Sequence, residues 1–419
     1  MLMIAVLLVS APAIKAAPMV TKTWTGATST AWATAGNWSP SGAPASGDAV
    51  VIGAIANPTN WPTLSANTTV TSVTINGRSQ TANTRGGCLT IATGVTLTVT
   101  GNLAINGSTG GTTGTTCNGA TRTGLVASGT GSVTVGGNVT LTNSTAGPEQ
   151  PYLGFGTGTL SVGGSLTVGT SATFAITTGT VNYNGGAQTV VALTYGGLTL
   201  GGSSAKTLGG NTTVDGVLTL TNDLNTGVNT LTLGSASTST GAGDVIGNVS
   251  RTTIANGTTY DFGNGNVELT FTSGTPPTSM VVNLVKGSSP FTGAVSRQYT
   301  LTPTGGSGYA ATVRLRYLET ELGTNVETAL NMYRYNSGTS TWDLQAPTTR
   351  DSVNNWVEKT GVTTFSPWAL GTSSPTAVTL STFSADGDSN TDALPFLGLG
   401  IGAIIALGGA IIARKKFSR

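Results

Sequence analysis

Few side chains in this 419-residue sequence are equipped for chemistry, and none of them is a histidine. That removes Ser-His-Asp and Cys-His nucleophile pairs, histidine metal ligands, and the commonest general base. Carboxylates are the next candidates, yet between residues 53 and 243 only Glu149, Asp215 and Asp223 are acidic. A glycosidase pair needs its carboxyl groups within about 5–10 Å of each other. Asp215 and Asp223 flank Val217-Leu-Thr-Leu220, so they are expected at opposite ends of one strand, a poor dyad. Glu319 and Glu321 fall in a strand-end turn and read as solvated. Asp386, Asp388, Asn390 and Asp392 offer oxygens at alternate positions, as calcium loops do. Thr391 stands at the sixth position, where such a loop wants Gly, and Leu397 at the twelfth, where it wants Glu. A solvated spacer is the first reading of this tract and a calcium site the second. Cys88 and Cys117 are too few for a closed zinc site; in an exported chain they read as a disulfide stapling one long loop. Trp342, Trp356 and Trp368 read first as core or rim of a sheet, and second as flat faces on which a ligand stacks.

The elements that must position these residues are strands. Charged residues make up only 8% of the chain, against roughly 25% in an ordinary soluble domain; Thr, Ser, Asn and Gly carry the polarity instead. Thr- and Val-rich composition favours sheets over helices. The net charge of +2 comes with no basic stripe, so no nucleic-acid partner is expected.

One phrase recurs between Leu89 and Leu233. It reads Leu97-Thr-Val-Thr-Gly-Asn102-Leu-Ala-Ile105, then Val133-Thr-Val-Gly-Gly-Asn138-Val-Thr-Leu141, then Leu160-Ser-Val-Gly-Gly-Ser165-Leu-Thr-Val168. A looser copy is Leu208-Gly-Gly-Asn211-Thr-Thr-Val214. Each copy is an apolar pair two apart, a Gly-Asn or Gly-Ser corner, and another apolar pair, the period of a half-buried strand. The corner residues are expected to supply positive φ, and Asn102, Asn138 and Asn211 to stack as a ladder. Units that cannot bury an apolar face alone must stack on one another. The expected fold is all-β: a right-handed parallel β-helix, or solenoid, over residues 18–243.

Residues 23–52 hold Trp24-Thr-Gly26, Trp32, Gly36-Asn37-Trp38 and Gly47-Asp48-Ala-Val50-Val51-Ile52. This series resembles the opening segment of bacterial β-helical surface proteins of the autotransporter-repeat type. The resemblance covers roughly residues 23–233 and implies a structural or adhesive role. Large aromatics such as Trp24, Trp32, Trp38 and Trp61 suit the covering of an open first rung; sugar stacking is their alternative reading.

Residues 244–371 hold nine of the 16 acids and eight short alternating runs, which predicts an antiparallel β-sandwich. In it Arg314 and Arg316, alternating with Val313 and Leu315, are expected on one wet face. The segment is similar to a module near the C-terminus of such surface proteins. Residues 372–392 read as a polar linker. Residues 393–413 lack charge and are followed by Arg414, Lys415 and Lys416, the pattern of a membrane helix with a cytoplasmic basic tail at 414–419. Leu394-Pro395-Phe-Leu-Gly398 resembles the Leu-Pro-x-Thr-Gly sorting signal, with Leu397 in place of Thr. Residues 1–17, with an apolar core Leu2 to Val9, read as a signal peptide.

The expectation is therefore an exported, non-enzymatic protein without a cofactor, held on the bacterial cell surface by a single-pass helix. It presents its β-helix to glycans or another surface. The alternatives are a polysaccharide-acting enzyme or carbohydrate-binding module on the same scaffold, and a self-associating surface-layer subunit.

Overall fold

A computed structural model of the chain describes residues 19–53, 58–77, 86–107, 117, 122–142 and 150–373. The described residues are all-β, and their few helical stretches are short 3-10 turns. Up to residue 176 the chain visits three parallel sheets in rotation. Sheet 1 collects Ala49–Ile52, Ser72–Asn76, Leu103–Asn106, Val139–Thr142 and Leu166–Val168. Sheet 2 runs from Thr63–Leu64 to Thr173–Ala175. Sheet 3 is the longest of the three, with eight strands from Thr68–Val70 to Thr238–Thr240.

The period-two pattern explains the packing. In sheet 3 the inward residues Leu97, Val133, Leu160, Val181, Leu198 and Leu218 are fully buried and lie in register from strand to strand. Each such side chain contributes about 1.5–3 kcal/mol of burial. The residue after each faces outward and is half-exposed: Thr98, Thr134, Ser161, Asn182, Thr199 and Thr219 form one column, extended by Thr69 and Thr240. No register shift interrupts this column.

The Gly-Asn corners work differently from expectation. None of Gly101, Asn102, Gly137, Asn138 and Gly164 has positive φ. Instead, the Asn102 side-chain oxygen accepts the backbone N–H of Asn138 at 2.8 Å, and the Asn138 oxygen accepts that of Ser165 at 2.8 Å. A Cβ on Gly137 would collide with that same Asn102 oxygen, and one on Gly164 with that of Asn138. Glycine is required here by close approach of the next strand's corner, not by backbone twist. The column stops at Ser165, because sheet 1 ends at Leu166–Val168. Asn211 does not join it; its side chain accepts the N–H of Thr230 in another sheet.

That other sheet, sheet 4, begins where sheets 1 and 2 end. Its strands run parallel from Gln188–Val190 through Lys206–Leu208 and Leu224–Leu233 to Val245–Thr252. Tyr183 and Tyr195 fill the interior at the changeover, their buried hydroxyls 2.9 Å apart, and burial pushes both phenols above their ordinary pKa.

The start of sheet 1 is covered. Trp38–Ser39 pairs antiparallel to Thr21–Trp24, and Trp24, Trp32 and Trp38 form a buried edge-to-face trio with ring centroids 4.9 and 4.8 Å apart. Two of the indole N–H groups are used: Trp24 donates to the Asn60 carbonyl and Trp38 to that of Trp32, both at 2.7 Å, while that of Trp32 is buried without a partner. Asn37, fully buried, accepts from the backbone N–H groups of Thr28 and Ser29.

Val245–Thr252 is a hinge in topology. It pairs parallel with Leu224–Leu233 on one side and antiparallel with Ser279–Lys286 on the other. Sheet 4 then continues antiparallel through Ala294–Thr304, Pro367–Gly371, Asn331–Asn336 and the edge strand Thr341–Gln345. Sheet 5, antiparallel throughout, holds Thr259–Asp261, Glu268–Thr275, Ser307–Arg316, Trp356–Val362 and Thr349–Asp351. Among the described residues no helix is long and apolar enough to cross a membrane. The signal segment 1–17, the linker from 374 onward and the apolar segment 393–413 lie outside the described residues.

Candidate functional site

The hairpin at the edge of sheet 4 gathers the aromatic side chains. Asn331–Asn336 reads Asn-Met-Tyr-Arg-Tyr-Asn, and its alternation sends Met332 inward and Tyr333 and Tyr335 outward. Thr341–Gln345 pairs with it so that Tyr335 lies opposite Trp342 and Tyr333 opposite Leu344. Phe291, in the loop between Ser279–Lys286 and Ala294–Thr304, completes the group. Phe291 meets Tyr333 at 5.1 Å and Trp342 at 5.4 Å, and Tyr335 meets Trp342 at 5.3 Å, centroid to centroid. Tyr333 is buried beneath the others; Phe291, Tyr335 and Trp342 are half-buried, and Leu344 is 52% exposed. The result is an aromatic shelf beside a sheet edge. Its chemistry is stacking and apolar contact with a flat partner, with no nucleophile in it.

The three tryptophans named from sequence are thus separated. Trp342 belongs to the shelf. Trp368 is fully buried in the core of sheet 4, so it offers no face to a ligand; opposite it on the inner side stand Tyr299 and Arg334. Trp356 is half-buried in sheet 5, and the Arg314 guanidinium lies 4.2 Å above its ring. That cation occupies one face of the ring and competes there with a stacked sugar. Arg314 in turn pairs with Glu268 at 2.7 Å and Glu358 at 2.8 Å. Tyr335 was legible beside Trp342 as an alternating strand before a Ser-Gly turn; Phe291 carries no sequence signal, because a loop delivers it.

A second cluster, absent from the sequence reading, lies where sheet 4 turns antiparallel. Asp244 is 1% exposed in its side chain and is bound by three cations: Arg297 at 2.8 Å, Arg316 at 2.8 Å and Lys286 at 2.9 Å. Lys286 also bridges to Asp223 at 2.8 Å, and Arg297 to Glu321 at 2.8 Å. The Asp223 carboxylate accepts the N–H of Asp244, and Arg297 donates to the Tyr299 hydroxyl, which donates to the Arg316 carbonyl. Burial alone would push the Asp244 carboxyl up, but Arg297, Arg316 and Lys286 outweigh it and hold it below its ordinary value. The Arg297 guanidinium is raised well above its own, despite burial. Burial pushes the Tyr299 phenol up to about 12. Every carboxylate here is already neutralised by a fixed cation, which makes the cluster a clasp between the parallel and antiparallel parts rather than an acid–base pair.

This clasp corrects two expectations. Glu321 is not solvated, since it closes on Arg297. Arg316 is not on a wet face; it reaches inward to Asp244 and the Ala242 carbonyl. Asp215 and Asp223 stand before and after the strand Val217–Leu220, and Asp223 is committed to Lys286.

Cys88 and Cys117 form a disulfide that packs with Tyr152 against sheet 2. Replacing both by Ala removes a cross-link between positions 29 apart in sequence and is expected to cost about 2–4 kcal/mol, because the unfolded chain regains that loop's freedom. Urea unfolding of the double variant, and of the reduced wild-type chain, measures it; an unchanged midpoint in both would show the loop to be pinned by other contacts. The calcium candidates Asp386, Asp388, Asn390 and Asp392, and the sorting-like Leu394, Pro395 and Gly398, lie outside the described residues.

What the geometry defines at this point is an all-β chain with parallel sheets, an aromatic shelf and a buried ionic clasp. No family model matches the chain, and neither a curated protein nor a solved structure matches it.

Proposed function

We propose that the chain is an exported, membrane-anchored surface protein with a structural and adhesive role, built as a right-handed parallel β-helix continued by an antiparallel β-sandwich. Residues 393–413 serve as its transmembrane helix, and its partner at the aromatic shelf is a glycan. The rotation of strands through three sheets, and the two antiparallel sheets after residue 245, support the architecture. The observation that carries the functional reading is the shelf of Phe291, Tyr335 and Trp342 at an open strand edge. Sugar rings present apolar C–H faces, and aromatic side chains with a polar rim are the groups that recognise them.

Co-sedimentation of the full chain with purified cell-wall and extracellular polysaccharides, with and without calcium, tests this reading. Trp342→Ala is expected to weaken retention about tenfold, the loss of one aromatic anchor, while Trp356→Ala leaves it nearly unchanged because Arg314 competes for that ring. Retention that ignores Trp342→Ala would remove the shelf from the function. Release of new reducing or unsaturated sugar ends would replace the adhesive reading with an enzymatic one. Sedimentation of the chain without any polysaccharide would favour a self-assembling surface layer.

A further inference from the structure

The outer face of sheet 3 keeps one register over eight strands. Besides the column running through Thr98, Thr134 and Thr199, a second column lies two residues earlier on each strand. It contains Thr96, Ser132, Thr159, Thr180 and Thr238, with Gly197 and Val217 as its two interruptions. Neighbouring strands lie about 4.8 Å apart, and residues two apart on a strand about 6.5 Å apart. The two columns therefore form a near-rectangular array that bears hydroxyls at every position except Asn182 in the first column and Gly197 and Val217 in the second. Neither column holds a charged or aromatic residue.

We propose that this face binds crystalline water, that is, the surface of ice. The between-strand repeat is close to one of the two at which oxygen atoms recur on a prism face of hexagonal ice, and the along-strand repeat is somewhat shorter than the other. Threonine offers a hydroxyl for each lattice site and a methyl group that favours ordered water beside it. Its β-branched χ1 is stiff, so little rotamer entropy remains to be lost on binding. The hydroxyls of Thr219 and Thr240 lie 3.2 Å apart, whereas that of Ser132 accepts the N–H of Thr159 and donates to the Thr130 carbonyl. Beneath them, Leu97, Val133, Leu160 and Leu218 are fully buried and hold the strands in one register. A glycan is the weaker fit to this face, which lacks the aromatic platforms and charged forks that orient sugars. The proposal goes beyond the glycan reading of the shelf and does not rest on it.

The test is incorporation of the full chain into a slowly grown ice hemisphere, together with the gap between its freezing and melting temperatures. The wild-type chain is expected to concentrate in the ice. Thr134→Tyr and Thr199→Tyr, whose rings stand up from the array, are expected to lower incorporation about tenfold. Thr140→Tyr, on the outer face of sheet 1, serves as the control and is expected to leave it unchanged, as is Trp342→Ala. Circular dichroism checks that each variant keeps its strands, and Thr134→Ser, the smallest change, is expected to retain most of the effect. Exclusion of the wild-type chain from ice overturns the proposal. So does equal loss in Thr140→Tyr and Thr134→Tyr, which would take the activity away from sheet 3. A Thr134→Tyr effect on polysaccharide retention with none on ice would assign the face to a glycan and equally overturn it.

Discussion

Replacing Asp244 by Ala is expected to lower the stability of the fold by about 3–5 kcal/mol, the cost of leaving buried charge without its partner. The carboxylate is the shared anion of Arg297, Arg316 and Lys286, and the side chain of Arg297 is 1% exposed. Removing the anion leaves that buried guanidinium with Glu321 as its one remaining carboxylate partner and takes the shared anion from Arg316 and Lys286 as well. Chemical denaturation reads the loss, and the double variant Asp244→Ala with Arg297→Met is expected to recover part of it, because that buried cation is removed too. A double variant no better than the single one would mean that the clasp stabilises through packing alone. The same group sets an acid limit. The Asp244 carboxyl is held below its ordinary value in the fold, so between the folded value and the unfolded one, about 4, the unfolded chain binds more protons. Stability from this source is therefore complete above the unfolded value and is lost as pH falls through the folded one. Asp244→Asn is expected to flatten that part of the pH dependence; an unaltered acid slope would assign it to other carboxylates.

Trp38→Ala is the second large effect, about 3–5 kcal/mol for deleting a buried aromatic side chain. Trp38 is 3% exposed and lies between Trp24 and Trp32. Its loss opens a cavity under the strand that covers the edge of sheet 1, so the damage is local. Hydrogen exchange is expected to accelerate in Thr21–Trp24 and Ala49–Ile52 and to remain slow in distant strands such as Val217–Leu220. A fall in stability under about 1 kcal/mol, the size of an ordinary surface-to-average substitution, would show that the cap is an accessory of the sheets and not their seal.

Strand content was legible because period-two alternation with Val, Leu, Ile and Thr admits little else: Leu97-Thr-Val99 and Val133-Thr-Val135 alternate buried and half-exposed in the structure as they do in type. The tryptophans of residues 24–38 were legible as covering groups because so many large apolar side chains in a Gly-, Thr- and Ser-rich stretch must pack on one another. The corner phrase located the stacking sites at Asn102 and Asn138 but misjudged Asn211, whose place Ser165 takes, since the residue type at a corner does not say which sheet receives it. The shelf was half legible: Trp342 stood out, whereas Phe291 arrives from a loop whose path no local pattern encodes.

By itself the sequence determined the element type, the buried face of each strand and the absence of histidine chemistry, all of which are local properties of residue type and period. Only the tertiary structure decided what long-range pairing decides. It set Trp368 inside and Trp342 outside, although both are tryptophans on alternating strands, because their strands differ in which neighbours cover them. It brought Asp223, Asp244, Lys286, Arg297, Arg316 and Glu321, spread over 98 positions, into one clasp, because charges find each other through sheet register rather than through spacing in the chain. And it lined up threonines from eight separate strands into one array, since register between strands tens of residues apart is fixed by the packing of the side chains beneath them.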